Sequence, residues 1–118
     1  LEYSAAQLRQ PEMNIILGKI QEINTEDLPM VLLGDFNCDE TDGIYNGIKN
    51  YGFESCRTKA LVGDSHKTHN GFGGYAQTLD HAFYKGFAGV NKFVTDRYKY
   101  AGITYISDHY PIWATLKF

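Results

Sequence analysis

The stretch that decides the fold is residues 30–37, Met-Val-Leu-Leu-Gly-Asp-Phe-Asn, an apolar run that ends in a glycine, an acid and an amide. Its four leading apolar residues show no alternation, which predicts a strand covered on both faces. Positions two apart on extended backbone share a face, so Asp35 and Asn37 are expected to converge on one ligand while Phe36 packs inward. An Asp/Asn pair that only shapes a turn is the alternative.

Length and composition predict one domain without a membrane span. The chain has 118 residues, of which 43% are apolar, and a net charge of -3. No run of about 18 apolar residues occurs, which excludes a spanning helix. The negative net charge argues against a protein that binds nucleic acid through a strongly basic surface. It does not exclude a nuclease, because a few local residues and a metal ion can neutralise the charge of the substrate.

The remaining elements follow from apolar spacing and turn residues. A helix is expected over 4–24, with Ser4 as its cap and an interruption or bend at Pro11. Further along the chain we expect a helix over 42–50 capped by Thr41 or Asp42, a strand over 53–57, a long loop over 62–77, and strands over 78–84 and 90–99. The last segment alternates, and places Ile112, Ala114, Leu116 and Phe118 on one face of a terminal strand.

Two further motifs place ionisable groups next to strands, Leu79-Asp80-His81 and Ser107-Asp108-His109. An acid inside an apolar strand is costly to bury unless it finds a donor, and His109 is the candidate partner for Asp80. An Asp80 that is exposed on an edge strand is the alternative. Such a carboxylate fixes the tautomer of the imidazole and raises its basicity. Three consecutive residues do not form a Ser/Asp/His triad, because nucleophile, base and orienting acid must line up in space.

The loop before Asp80 supplies candidates for lining a site. Thr68, Asn70 and Phe72 are chosen because this loop leads directly into the strand that carries the acid. The two histidines of the loop, His66 and His69, are interpreted as surface residues.

A calcium loop and a zinc site are two metal alternatives that the sequence does not support. Asp35, Asn37 and Asp39 match the first ligands of an EF-hand, but Glu40 and Asn46 stand where that loop needs Gly and Glu. The only cysteines, Cys38 and Cys56, lack the paired spacing of zinc ligands. They leave open one disulfide or two free thiols.

In their order along the chain, the Gly-Asp-Phe-Asn, Leu-Asp-His-Ala-Phe and Ser-Asp-His motifs resemble the endonuclease/exonuclease/phosphatase superfamily. This is the fold of deoxyribonuclease I, exonuclease III-type nucleases, inositol-phosphate phosphatases and neutral sphingomyelinases. His81 departs from the pattern, since Tyr or Arg is common at its position. The resemblance covers essentially the whole chain and implies an α/β fold, half of a four-layer α/β/β/α sandwich whose mixed sheet has helices on its outer face. Residues 1–118 would be one domain fragment, the C-terminal half of a deoxyribonuclease I-like domain.

The resemblance also implies an activity, the Mg²⁺- or Mn²⁺-dependent hydrolysis of a phosphate ester. The substrate would be a nucleic acid, a phospholipid head group or a small phosphate ester. By matched position, Asp35 would orient or activate the attacking water, Asn37 would bind a phosphate oxygen, and His109 would act as acid/base or cationic stabiliser. Asp80 would hold His109, and Asp108 would be a metal ligand. Asn37, Thr68 and Asn70 are the expected substrate-binding residues.

Family members also carry a first half, with an Asn, a metal-binding Glu and a second His that this chain does not contain. We therefore expect a missing N-terminal half, in the parent polypeptide or as another chain. It would cover the sheet face of Ile112, Ala114 and Leu116. The alternative function is a non-catalytic binding or scaffold domain of the same fold.

Overall fold

The computed structural model describes all residues, 1–118, and its architecture is α/β as expected. The elements are α1 (Ala6–Ile23), β1 (Met30–Asp35), α2 (Gly43–Asn50), β2 (Glu54–Ser55), α3 (Cys56–Lys59), β3 (Asp80–Lys85), β4 (Gly89–Thr95) and β5 (Ile112–Lys117). Antiparallel ladders join β1, β3 and β2 in that order, and β4 to β5. None of the helices combines the length and the hydropathy that a membrane-spanning segment requires.

The first helix begins two residues later than expected and is capped differently. Ala5 occupies the N-cap position without a side-chain hydrogen bond, so the predicted Ser4 cap is wrong. The Ser4 hydroxyl instead donates to Glu2. The helix runs through Pro11 without an interruption. The proline ring removes one backbone donor, but the packing of Met13 and Leu17 in the core stabilises the turns that follow.

Helix α2 was predicted correctly, and its cap is Asp42 rather than Thr41. The Asp42 carboxylate accepts from the Ile44 backbone N–H at 2.9 Å, which satisfies one of the free donors at the helix start. The segment after it differs from the prediction. Only Glu54–Ser55 pair as a strand, because the Ser55 side chain caps α3 and turns the chain into a helix at Cys56.

Two apolar clusters form the core. The larger one packs α1 and α2 on one face of the β1–β3 sheet, and the smaller one lies between β3 and the antiparallel pair β4–β5. Their buried members are Met13, Leu17, Phe36, Cys38, Ile44, Tyr45, Ile48, Phe53 and Phe83 in the first, and Cys56, Ala82, Tyr84, Val90 and Phe93 in the second. Each fully buried large side chain stabilises the fold by about 1.5–3 kcal/mol.

Strand β1 is covered on one face only, which corrects the sequence prediction. Met30 and Leu32 pack on the helices, whereas Val31 is 44% exposed and Leu33 is 62% exposed. The continuous apolar run therefore does not indicate two covered faces within these 118 residues. The expected open face of β5 differs too, because Ile112, Ala114 and Leu116 are half-buried against the second cluster. Phe118 lies beyond the strand and is exposed.

Strands β3 and β4 are shorter than predicted. Strand β3 starts at Asp80 and β4 ends at Thr95, after which an irregular segment leads to β5. The long loop over 62–77 is confirmed, with only a short 3₁₀ turn at Gly71–Gly73.

Both cysteines are free and buried. Burial is the largest cause that raises the pKa of each thiol, Cys38 and Cys56, to about 11. The thiols are therefore protonated at neutral pH and pack as small apolar groups. Of the two alternatives that the sequence left open, the structure has the two thiols.

His81 is buried in the first core beside Phe36 and Tyr45. Burial lowers the pKa of its imidazole, so the ring is neutral at pH 7. Its Nε2 lies 2.7 Å from the carbonyl oxygen of Cys38, and therefore carries the proton and donates it to that oxygen. This bond ties the strand that begins at Asp80 to the turn after Asn37.

Candidate functional site

Strand pairing brings the two acids of the predicted site to one edge of the sheet. Asp35 ends β1 and Asp80 begins β3, and the antiparallel register pairs these two residues directly. The next backbone hydrogen bond, from Phe36 N–H to Leu79 O at 2.9 Å, continues the pairing past the strand ends. Gly34 has φ 152°, a conformation that disfavours a side chain, immediately before Asp35.

His109 reaches the same edge from the loop before β5. Its Nδ1 lies 2.7 Å from Asp80 Oδ2, and its Nε2 lies 3.8 Å from Asp35 Oδ2. The predicted pairing of Asp80 with His109 is confirmed. One imidazole thus stands between two carboxylates, with one nitrogen held by Asp80 and the other facing Asp35.

Thr68 and Asn70 hold the loop that carries His109. The Thr68 hydroxyl oxygen accepts from the backbone N–H groups of Leu79 and Asp80, each at 3.0 Å, and its carbonyl accepts from Tyr110 N–H. The Asn70 side chain donates to the carbonyl of Ser107 at 3.0 Å. Thr68 is 0% exposed and Asn70 is 5% exposed. Their bonds serve the framework behind the site, and their contact with substrate stays a prediction.

Asn37 adopts a left-handed backbone conformation, φ 49°, in the turn that follows β1. Its backbone N–H donates to Asp35 Oδ1 at 2.8 Å, and its side-chain amide donates to the carbonyl of Leu1 at 2.6 Å. Phe36, between the two polar residues, is buried against Phe83 as expected. Asn37 and Asp35 line one cavity, which is described below. The amide nitrogen of Asn37 is hydrogen-bonded to the Leu1 carbonyl.

His69 belongs to the site, which the sequence interpretation as a surface residue missed. Its ring packs edge-on against that of His109 at 4.9 Å, and its Nε2 lies 3.9 Å from Asp108 Oδ2. The position of His69 follows from the burial of Thr68 and Asn70 on either side of it, which the loop sequence does not reveal. His66 is exposed as expected.

A cavity of about 310 Å³ opens in front of these groups. Its lining includes Tyr3, Asp35, Asn37, His69, Gln77, Leu79, Asp108 and His109. We call it the site cavity. Phe72, the other candidate from the loop, is not part of its lining and is exposed.

Competing influences set the protonation of His109. Burial by itself lowers the pKa of the imidazole, but the hydrogen bond and charge of Asp80, followed by the charges of Asp35 and Asp108, outweigh it. The net shift is upward, so the imidazolium form is favoured relative to a free histidine. A ring in this state can donate a proton from Nε2 or stabilise negative charge in the site cavity.

The site contains carboxylates that can hold a divalent cation. Two groups of side chains place their ligand atoms within 4.8 Å of one another, Asp35 with Asp80 and His109, and His69 with Asp108 and His109. Mg²⁺ and similar ions bind through one or two carboxylates and complete their shell with water and substrate phosphate oxygens. Asp35 and Asp108 both line the site cavity, so the carboxylates that such an ion requires are present there.

Comparison with known proteins identifies a family that matches most of the chain. The family model described as "Endonuclease/Exonuclease/phosphatase family" matches residues 4–109. No curated protein matches the chain.

Solved structures share the fold. A protein of this family from Bacteroides vulgatus superposes with a TM-score of 0.84 and 22% identity, over 99% of this chain and 46% of its own. A mannosyl-6-phosphatase from Bacteroides thetaiotaomicron gives 0.80 and 24%, over 100% and 49%. A functionally unknown protein from Enterococcus faecalis gives 0.82 and 21%, over 98% and 46%. The chain thus spans about half the length of the structures that it matches.

The first prediction concerns the Asp80–His109 pair. Replacing Asp80 with Asn removes the negative charge and the strongest acceptor at Nδ1, so the pKa of His109 falls below its value in the unchanged protein. The measurement is an NMR titration of the imidazole resonances. Asp27→Asn is the matched control, because Asp27 lies away from the site and its left-handed φ of 52° suits Asn. An unchanged His109 titration in Asp80→Asn would contradict the description of the pair.

Proposed function

Because the chain belongs to the endonuclease/exonuclease/phosphatase family, we propose that the complete protein containing it hydrolyses phosphate esters. The observation that carries the proposal is the arrangement of His109, with Asp80 on its Nδ1 and Asp35 facing its Nε2. Phosphoryl transfer needs positioned groups that orient a nucleophile and neutralise charge on phosphate oxygens. Three motifs far apart in the chain supply such groups at one sheet edge.

Each residue has a part in the proposed reaction. The Asp35 carboxylate accepts a hydrogen bond from the attacking water and orients it toward phosphorus. His109, kept on the imidazolium side by Asp80, donates from Nε2 to a phosphate or leaving-group oxygen. Asp80 touches no reacting atom and positions His109.

Asn37 is proposed to bind the phosphate directly. Asn37 lines the site cavity together with Asp35, and its side-chain amide is a neutral donor of the kind that stabilises charge on a phosphate oxygen. The bond to the Leu1 carbonyl uses one of its two N–H groups and leaves the other for the phosphate. Thr68 and Asn70 are proposed to contribute to substrate binding through the loop that they hold.

A divalent ion, Mg²⁺ or Mn²⁺, is the proposed cofactor, with Asp108 as a ligand. Such an ion neutralises the charge on phosphate oxygens and helps to orient the substrate. The two acids on the cavity wall, Asp35 and Asp108, would otherwise repel an anionic substrate. This chain offers few ligands, which is consistent with an ion that keeps several waters.

The substrate is proposed to be a small phosphate ester rather than duplex DNA. The net charge of -3 and a site cavity of about 310 Å³ support a compact ligand. A phospholipid head group is a small ester of the same kind. The resemblance in fold to a mannosyl-6-phosphatase is consistent with this proposal.

The remaining half of the domain is proposed to lie elsewhere in the complete protein or in a partner chain. The solved structures are about twice as long as this chain. The exposed Val31 and Leu33 face of β1 is an apolar surface next to the acid at the strand end. The other half would cover this face and supply further groups to the site cavity.

The second prediction tests the reaction. In the complete protein, Asp35→Asn and His109→Ala each reduce phosphate release at least about 100-fold, since a positioned acid or base contributes on the order of 10²–10⁴-fold. EDTA abolishes the activity and Mg²⁺ or Mn²⁺ restores it. Asp27→Asn serves again as the control and keeps full activity. Activity retained in both site variants would contradict the roles of Asp35 and His109, whereas ligand binding without any turnover in the unchanged protein would favour the non-catalytic alternative.

The third prediction tests the missing half. Leu33→Ser destabilises the complete protein by about 1–3 kcal/mol, because a buried leucine is lost, yet changes the stability of residues 1–118 expressed alone by much less. Thermal unfolding of both proteins measures the difference. Leu61→Ser is the control, since Leu61 is 82% exposed and lies outside β1. A stable and fully active monomer of residues 1–118 would contradict the proposal.

A further inference from the structure

A second cavity of about 370 Å³ adjoins the site cavity. Its lining residues include His66, Lys67, His69, Arg97, Tyr105 and Tyr110. We call it the cationic cavity, because it contains two basic side chains and no Asp or Glu lines it. Lys67, Arg97 and Tyr105 have no part in the proposed reaction at His109.

The two cavities share a wall. His69 lines both of them, and its ring contacts the ring of His109. Tyr110, in the lining of the cationic cavity, directly follows His109. A ligand with one group at His109 therefore has the cationic cavity as its immediate neighbour on the His69 side.

Neither cation of this cavity forms an ion pair, although the hydrogen bonds from Thr41 and then the charge of Lys67 help to lower the pKa of Asp39. Neither Lys67 nor Arg97 lies within 4.0 Å of a carboxylate oxygen in an ion pair. The acid next to Arg97 in the chain, Asp96, instead accepts from Tyr98 N–H and the Tyr100 hydroxyl. Asp64 accepts from the backbone of Thr95 and His66.

Arg97 is held in place without being paired. Its Nη2 lies 3.0 Å from His66 Nε2, and since a guanidinium only donates, the imidazole nitrogen accepts this bond. The backbone carbonyl of His66 is in turn fixed by a hydrogen bond from Arg57. The remaining N–H groups of Arg97 are free to bind an anion, and a guanidinium binds phosphate through two parallel hydrogen bonds.

We infer that the cationic cavity binds a second phosphate group of the substrate, through Arg97 and Lys67, while the scissile phosphate lies at His109. The inference rests on the proposed function, which it deepens by naming the substrate class as a small ester with two phosphate groups. Two unpaired cations next to an acidic site select for a ligand with additional negative charge. A neutral alcohol group on the substrate would leave Arg97 without an anionic partner.

The volume favours a small molecule over a polymer. About 370 Å³ lies at the lower end of the range for small-molecule pockets and suits one phosphorylated unit. A neighbouring phosphate of an oligonucleotide offers the same chemistry, and the experiment separates the two sources.

The test measures binding with matched pairs of probes. The complete protein carries Asp35→Asn so that the probes are not consumed, and calorimetry gives the affinity for fructose 6-phosphate and fructose 1,6-bisphosphate. The second pair is the dinucleotide of two thymidines with and without a 5′-phosphate. Within each pair, the probes differ by one phosphate group.

We expect fructose 1,6-bisphosphate to bind at least about tenfold more tightly than fructose 6-phosphate, as charge-assisted hydrogen bonds contribute that much or more. Arg97→Ala and Lys67→Ala each reduce the ratio of the two affinities several-fold. Lys99→Ala removes the same charge from an exposed residue outside the cavity lining and leaves the ratio unchanged.

Equal affinities within both pairs, or a ratio that Lys99→Ala lowers as much as Arg97→Ala, would overturn the inference. A ratio confined to the dinucleotides would overturn the small-ester assignment and identify an oligonucleotide as the source of the second phosphate. Phosphate release by the unchanged protein is measured separately. Tighter binding of the bisphosphate without any phosphate release would support the cationic cavity and contradict the proposed function. Phosphate release with equal affinities within both probe pairs would support the proposed function and contradict the cationic cavity.

Discussion

The 2.7 Å hydrogen bond between His109 Nδ1 and Asp80 Oδ2 joins the loop before β5 to the first residue of β3. Through it, one imidazole is oriented, its charged form is favoured, and its other nitrogen is turned toward Asp35. Without the bond, the carboxylate of Asp80 would sit at a largely buried strand start with no strong donor, which costs free energy. The chemistry and the local stability of the site thus depend on the same contact.

The rest of the fold serves to bring these two residues together. The antiparallel register places Asp35 opposite Asp80, so the second acid needs no further positioning. Thr68 links the loop to the strand from a fully buried position, by accepting from the strand backbone and from Tyr110. The helices cover one face of the sheet only, and the site lies at an edge where apolar strand gives way to polar loop.

Sequence reasoning could locate the acids and their partner because burial makes an unpaired Asp80 unfavourable, and only a few donors were available. Sequence reasoning failed for features that are set by tertiary contacts rather than by the local sequence. The four apolar residues of β1 look the same whether one face or two are covered, and only the assembled chain shows that Val31 and Leu33 are exposed. His69 was missed because its position follows from the burial of its neighbours, which a loop sequence does not reveal.

The most direct test is a crystal structure of the complete protein with Mg²⁺ and inorganic phosphate. The account predicts phosphorus in the site cavity, with phosphate oxygens within hydrogen-bond distance of Asn37 Nδ2 and His109 Nε2 and with the His109–Asp80 bond intact. Phosphate bound away from Asp35 and His109, or a His109 ring turned off Asp80 in that complex, would contradict it.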